Sequence, residues 1–211
     1  MGDIYRNPNN LSLENRAQII VARYNDDPLP IDTTYIEALL AKATQAAIAG
    51  AIEHGVDVPV GAATGVDGEF LAANYAQDNL LSRKEAHAEF MTVQRTHELH
   101  PGVEPDTIAV TLEPCRSCQD YLAELPNLRL VAFALPLSVA SMRRIIRNKE
   151  ETIFDRASRE GLPYGVIQVD MSNLSEINQT LLDATARNLD TGETRVDSGK
   201  LLSELPKIYS A

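Results

Sequence analysis

The sequence predicts an α/β fold: a five-stranded sheet with helices packed on its faces. Three observations carry this. Five short stretches have strand character, the segments between the later ones have helical spacing, and single strands alternating with helices favour a layered sheet. The size also suits it, since 211 residues, 44% apolar and 23% charged, make one domain with a buried core.

Residues 11–24 carry Leu13, Ala17, Ile20 and Val21 at helical spacing and predict a short amphipathic helix, broken by the prolines and Asn-Asp-Asp of residues 25–30. Thr34 and Glu37 then form a capping-box pattern, and Ile36, Leu39, Leu40, Ala43, Ala47 and Ile48 mark one face of a long helix ending near Gly55. Residues 58–63 and 69–74 predict two strands joined at Val66-Asp67-Gly68, where Asp-Gly has hairpin chemistry. A helix over 84–98 follows, then a buried strand over 107–112, with Pro114 suited to the first position of the next helix. Residues 128–135 predict a fourth strand, 139–159 helical material and 164–169 a fifth strand. Asn173 and Glu176 open a last helix bearing Leu174, Ile177, Leu181 and Leu182.

Basic residues number 19 and acidic 30, a formal net charge of −11. That field repels polyanions at long range, against a general grip on nucleic acid or an anionic membrane. The densest basic cluster, Arg143, Arg144, Arg147 and Lys149, runs straight into Glu150 and Glu151 and reads as a solvated helix face. No apolar run is long enough to span a bilayer, and the polar first ten residues show no secretory signal, so the expectation is a cytoplasmic protein.

The two cysteines, Cys115 and Cys118, lie in Pro114-Cys115-Arg116-Ser117-Cys118, and His87 and Glu89 lie in Glu85-Ala86-His87-Ala88-Glu89. His-x-Glu alone is commonplace, and Cys-x-x-Cys alone reads as a redox pair or half of a structural zinc site. Together they offer three metal ligands, two sulfurs from one face of a helix start and an imidazole from another helix. His97 is ten residues beyond His87, roughly 15 Å along a helix axis, and His100 is further still, so neither completes the shell. Three protein ligands with an open fourth position are the catalytic arrangement, in which zinc lowers the pKa of a water, and Glu89 is placed to shuttle the proton. Positions i and i+2 diverge on an ideal helix, so the reading requires His87 and Glu89 to sit at a helix start, where side chains lean back toward the N-terminus.

The His-x-Glu and Pro-Cys-x-x-Cys pattern resembles that of the cytidine and deoxycytidylate deaminase superfamily, nearest the branch of tRNA adenosine, guanine and cytosine deaminases. The resemblance extends to Val58-Pro59-Val60-Gly61-Ala62, Asp67-Gly68, Asn74 and Thr111-Leu112-Glu113, and covers about residues 34–187. It implies a three-layer cytidine-deaminase-like sandwich around a central mixed five-stranded sheet, with Zn2+ on His87, Cys115 and Cys118. It also implies Glu89 as proton shuttle, Asn74 in base recognition (or, alternatively, only closing its strand), and backbone groups around Ala88 and Cys115 orienting the ring. Domain organisation follows as an N-terminal helical extension (1–32), the deaminase domain (33–190) and a C-terminal tail (191–211). A homo-oligomer, such as a homodimer, is implied too.

The chain departs from the tRNA-editing pattern at Arg116-Ser117, where those enzymes carry Pro-Met, and at Arg83-Lys84-Glu85-Ala86 before the histidine. The direct Cys115-x-x-Cys118 spacing excludes the bifunctional riboflavin-pathway branch. The expected activity is hydrolytic deamination of a small-molecule nucleobase, nucleoside or nucleotide. The alternatives are adenosine-to-inosine editing of tRNA, disfavoured by net charge, and a zinc-stabilised binding module without turnover. Arg83 and Lys84 stand where a substrate phosphate would suit them.

Overall fold

The computed structural model describes residues 32–53, 59–77, 84–136 and 152–169. The expected helix over 11–24, the terminal extensions, Arg83, the basic cluster around Arg143 and the helix opened by Asn173 lie outside these residues.

Helix α1 (Thr33–Glu53) begins at an aspartate. Asp32 Oδ1 accepts from the amides of Thr34 and Tyr35 at 3.0 and 3.2 Å, and the Asp32 carbonyl takes the Ile36 amide at 3.1 Å. The cap is therefore Asp32, not Thr34, because a carboxylate one residue before the helix satisfies two amides that otherwise lack partners. Strands β1 (Gly61–Val66) and β2 (Glu69–Tyr75) form the expected hairpin. Asp67 and Gly68 both have positive φ, 50° and 85°, as a two-residue turn of this hand requires, and Asp67 donates its amide to Asp106 Oδ2 at 2.9 Å. The turn sets the register, pairing Val66 with Glu69 and Gly61 with Tyr75 across one bulge at Thr64/Gly65. β1 thus starts at Gly61 rather than 58. It is an interior strand between β2 and β3, where Pro59 has no amide to offer a neighbour.

Helix α2 (Ala88–Leu99) follows a 3-10 turn (Lys84–Ala86), and β3 (Thr107–Leu112) comes next. Then come α3 (Arg116–Leu122), β4 (Leu130–Leu135), α4 (Ile153–Glu160) and β5 (Gly165–Gln168). The expected helical run over 139–159 is interrupted in its described part. Thr152 is extended (φ −64°, ψ 154°) and caps α4 afresh, its hydroxyl accepting the Asp155 amide at 3.1 Å.

The sheet order is β2-β1-β3-β4-β5, with β1 antiparallel to both neighbours and β3, β4 and β5 parallel, so the sheet is mixed as expected. The parallel strands are buried on both faces, which explains their continuous apolar runs. α1 covers one face, packing Ile36, Leu39, Leu40 and Ala43 on Ala63, Ala109, Ala132 and Ala134. The opposite face contributes Ile108, Val110, Val131 and Phe133 to the core that takes in Val93 of α2, Leu122 of α3 and Ile153 of α4. Gly61 lets α1 approach: a Cβ there would run into the Ala43 carbonyl and lie 2.7 Å from the Ala47 nitrogen. Among the described residues no helix is long and apolar enough to cross a membrane.

Candidate metal centre

Each of two helices starts with a candidate ligand at its cap. His87 precedes α2 in an extended conformation (φ −70°, ψ 151°), and Cys115 precedes α3 likewise (φ −67°, ψ 167°). Neither side chain caps its helix, although cap positions favour Ser, Thr, Asp or Asn. Both turn instead toward one point. Cys118 arrives from the third residue of α3, on the same side as Cys115. His87 and Glu89 do stand at a helix start. Because His87 lies outside the helix, the divergence of positions i and i+2 does not apply to it. Pro114 sits before the cap and not at the first helical position. Cys115 occupies the cap because its extended backbone turns the sulfur inward.

The three candidate ligand atoms all lie within 4.8 Å of one another. His87 Nδ1 is 3.2 Å from Cys118 Sγ and 3.5 Å from Cys115 Sγ, and the two sulfurs are 3.5 Å apart. Zinc bonds of about 2.3 Å to sulfur and 2.0 Å to nitrogen, at tetrahedral angles, separate such atoms by roughly 3.5–3.8 Å. The donor set and its spacing fit zinc. Cys118 is 1% exposed and Cys115 half-buried. The hydrogen bond from Cys118, reinforced by His87 and Ser117 against the opposing effect of burial, draws the Cys115 thiol down to about 3, and the same bond pushes Cys118 well up. Metal binding requires both as thiolates.

Glu89 is 4% exposed, and its carboxyl lies beside Cys118. Burial raises its pKa to about 7, with the Cys115 charge adding to the rise and His87 opposing it. Ala88, also buried, opens α2, where the first amides have no carbonyl within the helix to bond.

Several contacts fix the scaffold around this cluster. Thr92 donates to the Ala62 carbonyl at 3.3 Å and Thr96 meets Thr64 at 2.6 Å, pinning α2 to β1. Phe90 stacks on Tyr121 with centroids 3.7 Å apart and planes at 16°, joining α2 to α3 just beyond Glu89 and Cys118. Glu113, 2% exposed, accepts the Ile153 amide at 2.6 Å, tying the segment before the cysteines to the start of α4. Arg156 of α4 reaches Asp120 of α3 at 2.6 Å and Gln119 at 3.4 Å.

Asn74 lies at the end of β2 beside α2, half-buried. Its amide donates to the Met91 carbonyl at 3.3 Å and its oxygen accepts the Tyr75 amide at 2.9 Å. His97 and His100 stay away from the cluster, bonded to Glu104 and to the Leu71 carbonyl, each at 3.2 Å. Arg116, which departs from the tRNA-editing pattern, pairs with Asp120 at 3.5 Å and Glu160 at 3.3 Å. Sequence reasoning gave Glu113 no role and missed Gln119 and Arg156. A buried carboxylate and arginine announce themselves only through partners distant in the chain.

Residues 33–134 match the cytidine and deoxycytidylate deaminase zinc-binding region. No curated protein sequence matches the chain significantly. Among solved structures, a protein in complex with 8-azaguanine is 17% identical, with a TM-score of 0.54 over 88% of this chain and 97% of its own. A guanine deaminase from Bacillus subtilis is 24% identical over 50% of this chain and 67% of its own, with a TM-score of 0.41. A tRNA:A34 deaminase is 24% identical over 47% and 76%, also with a TM-score of 0.41. At such identities what is shared is the fold.

Proposed function

We propose, from the premise that residues 33–134 belong to the cytidine and deoxycytidylate deaminase zinc-binding family, that this chain is a zinc-dependent hydrolytic deaminase of a small-molecule nucleobase, nucleoside or nucleotide. One observation carries the reading: His87, Cys115 and Cys118 converge from two helix starts, with a buried carboxyl beside them. Three protein donors suit zinc that keeps one position for water.

Zinc, when bound at His87, Cys115 and Cys118, supplies an acidified water for attack on the ring carbon that bears the amine. Glu89, buried beside the ligands, would take up the proton that the reaction releases and deliver it to the departing nitrogen. The ring carbon gains oxygen, the C–N bond breaks, and ammonia leaves. Burial suits Glu89 to this exchange, because a carboxyl near neutrality both takes and gives a proton at working pH. The amides around Ala88 and Cys115 and the side chain of Asn74 orient the ring. The bond of Asn74 to the Met91 carbonyl leaves its second amide hydrogen for the base.

The charge of −11 supports a small substrate over tRNA. The guanidinium of Arg116, set between the cysteines, is matched by two carboxylates and offers little to a polyanion.

Ammonia release is to be measured with zinc-loaded protein across adenine, guanine and cytosine, their nucleosides and nucleotides, and tRNA. The expected result is turnover of a small molecule, and a loss of roughly 10²–10⁴ in kcat in Glu89→Gln with zinc retained. No ammonia from any compound, or a fully active Glu89→Gln, overturns the reading. Turnover confined to tRNA transfers it to the editing enzymes.

A further inference from the structure

The two sulfurs are held differently. Cys118 is sealed in the interior, within a helical turn of α3. Cys115 is half-buried at an extended cap residue, where no helical turn restrains its side chain. Ser117 Oγ lies 3.2 Å from Cys115 Sγ. This follows from position: Ser117 is the second residue of α3, and helical side chains lean toward the N-terminus, which carries its hydroxyl back over the cap. A serine deeper in a helix usually bonds a carbonyl of the preceding turn. Here the carbonyl three residues before, at Pro114, is taken by Gln119 Nε2 at 2.8 Å.

We infer that Ser117 is a positioning residue for the metal, its hydroxyl donating to the Cys115 sulfur and holding that ligand ready to bind. A metal-bound cysteine carries no proton and only accepts, so the hydroxyl is the donor. The bond offsets part of the thiolate's charge, and it fixes the side chain of the less buried sulfur. Groups in this relation to a ligand typically change metal affinity 10–100-fold when removed. The serine occupies one of the two positions between the cysteines at which this chain departs from Pro-Met, so the departure has a structural use. The inference rests on the zinc-site reading and is independent of which heterocycle is deaminated.

The test is zinc affinity of the full chain by competition with a chromophoric chelator, for wild type, Ser117→Ala and Ser117→Thr. Ser117→Ala is expected to bind zinc at least about tenfold more weakly, and Ser117→Thr, which keeps the hydroxyl, within about twofold of wild type. In Co2+-loaded protein the sulfur-to-cobalt charge-transfer band shifts in Ser117→Ala and not in Ser117→Thr. Wild-type affinity in Ser117→Ala, or a Thr variant as weak as the Ala variant, overturns the inference and leaves the metal site standing. A wild-type chain that holds no zinc overturns the zinc-site reading, and this inference with it.

Discussion

Under α1 the sheet presents Ala63, Ala109, Ala132 and Ala134, whereas beneath α2, α3 and α4 it presents Ile108, Val110, Val131 and Phe133. On the α1 side these alanines pack beside Leu130, Ile167 and Val169, and Gly61 lets the helix come close to β1. The other side buries ionisable groups: among the described residues His87, Glu89, Glu113, Cys118, Arg156 and Tyr164 all lie there. Burying such groups costs free energy unless each is paired. Glu113 meets the Ile153 amide, Tyr164 the Gln119 carbonyl, Arg156 two carboxylates, and His87 two sulfurs. One face therefore contributes stability, while the other spends part of its stability on placing chemistry. The two should respond to substitution independently.

Cys118→Ala is the sharpest break on the chemical side. It should abolish stoichiometric zinc, measured as the metal-to-protein ratio after dialysis, and turnover with it. One zinc per chain retained by this variant would sink the ligand assignment. On the α1 side, Gly61→Val forces a branched side chain against the Ala43 carbonyl and should destabilise by about 1–3 kcal/mol. The denaturant midpoint should fall while zinc content holds; an unchanged midpoint would mean that α1 does not depend on this close approach. Asp32→Ala leaves the Thr34 and Tyr35 amides without their acceptor and should cost about 1 kcal/mol, again without touching zinc. Were Thr34 the working cap, this variant would melt like wild type.

The smallest effect concerns Tyr35, whose hydroxyl donates to the Glu69 carbonyl. Burial, then the negative charge of Asp106, pushes its pKa up from 10.0 to about 12. A phenol raised in the folded state adds stability that is complete below pH 10 and is lost as pH rises through about 12. Tyr35→Phe should make the alkaline fall in stability shallower and remove one phenol from the high-pH ultraviolet titration. An unchanged titration would place the shift elsewhere.

Elements whose signals are local are legible in the sequence. Asp67-Gly68 specifies a turn by its own backbone preferences, and β3 and β4 declare themselves as apolar runs because both their faces are covered. Helix rise alone separates His97 and His100 from His87, and they bond Glu104 and the Leu71 carbonyl instead. The misplacements have a common origin. The start of β1 moved to Gly61 because register with β2 and β3, not propensity, decides where an interior strand begins. The cap of α1 moved to Asp32, and that of α3 to Cys115, because several residues compete for each cap and packing selects among them. The helical run toward Arg159 was broken at Thr152, next to the Ile153 amide that Glu113 holds from across the fold.

The sequence by itself determined the fold class, the Asp-Gly hairpin and the residue types that fit a zinc centre, because composition, turn preference and ligand spacing act over a few residues. Only the tertiary structure decided that His87 meets Cys115 and Cys118 and that Glu89 is buried beside them. Those relations join segments about thirty residues apart, and their distances are set by how α2 and α3 pack on the sheet and on each other.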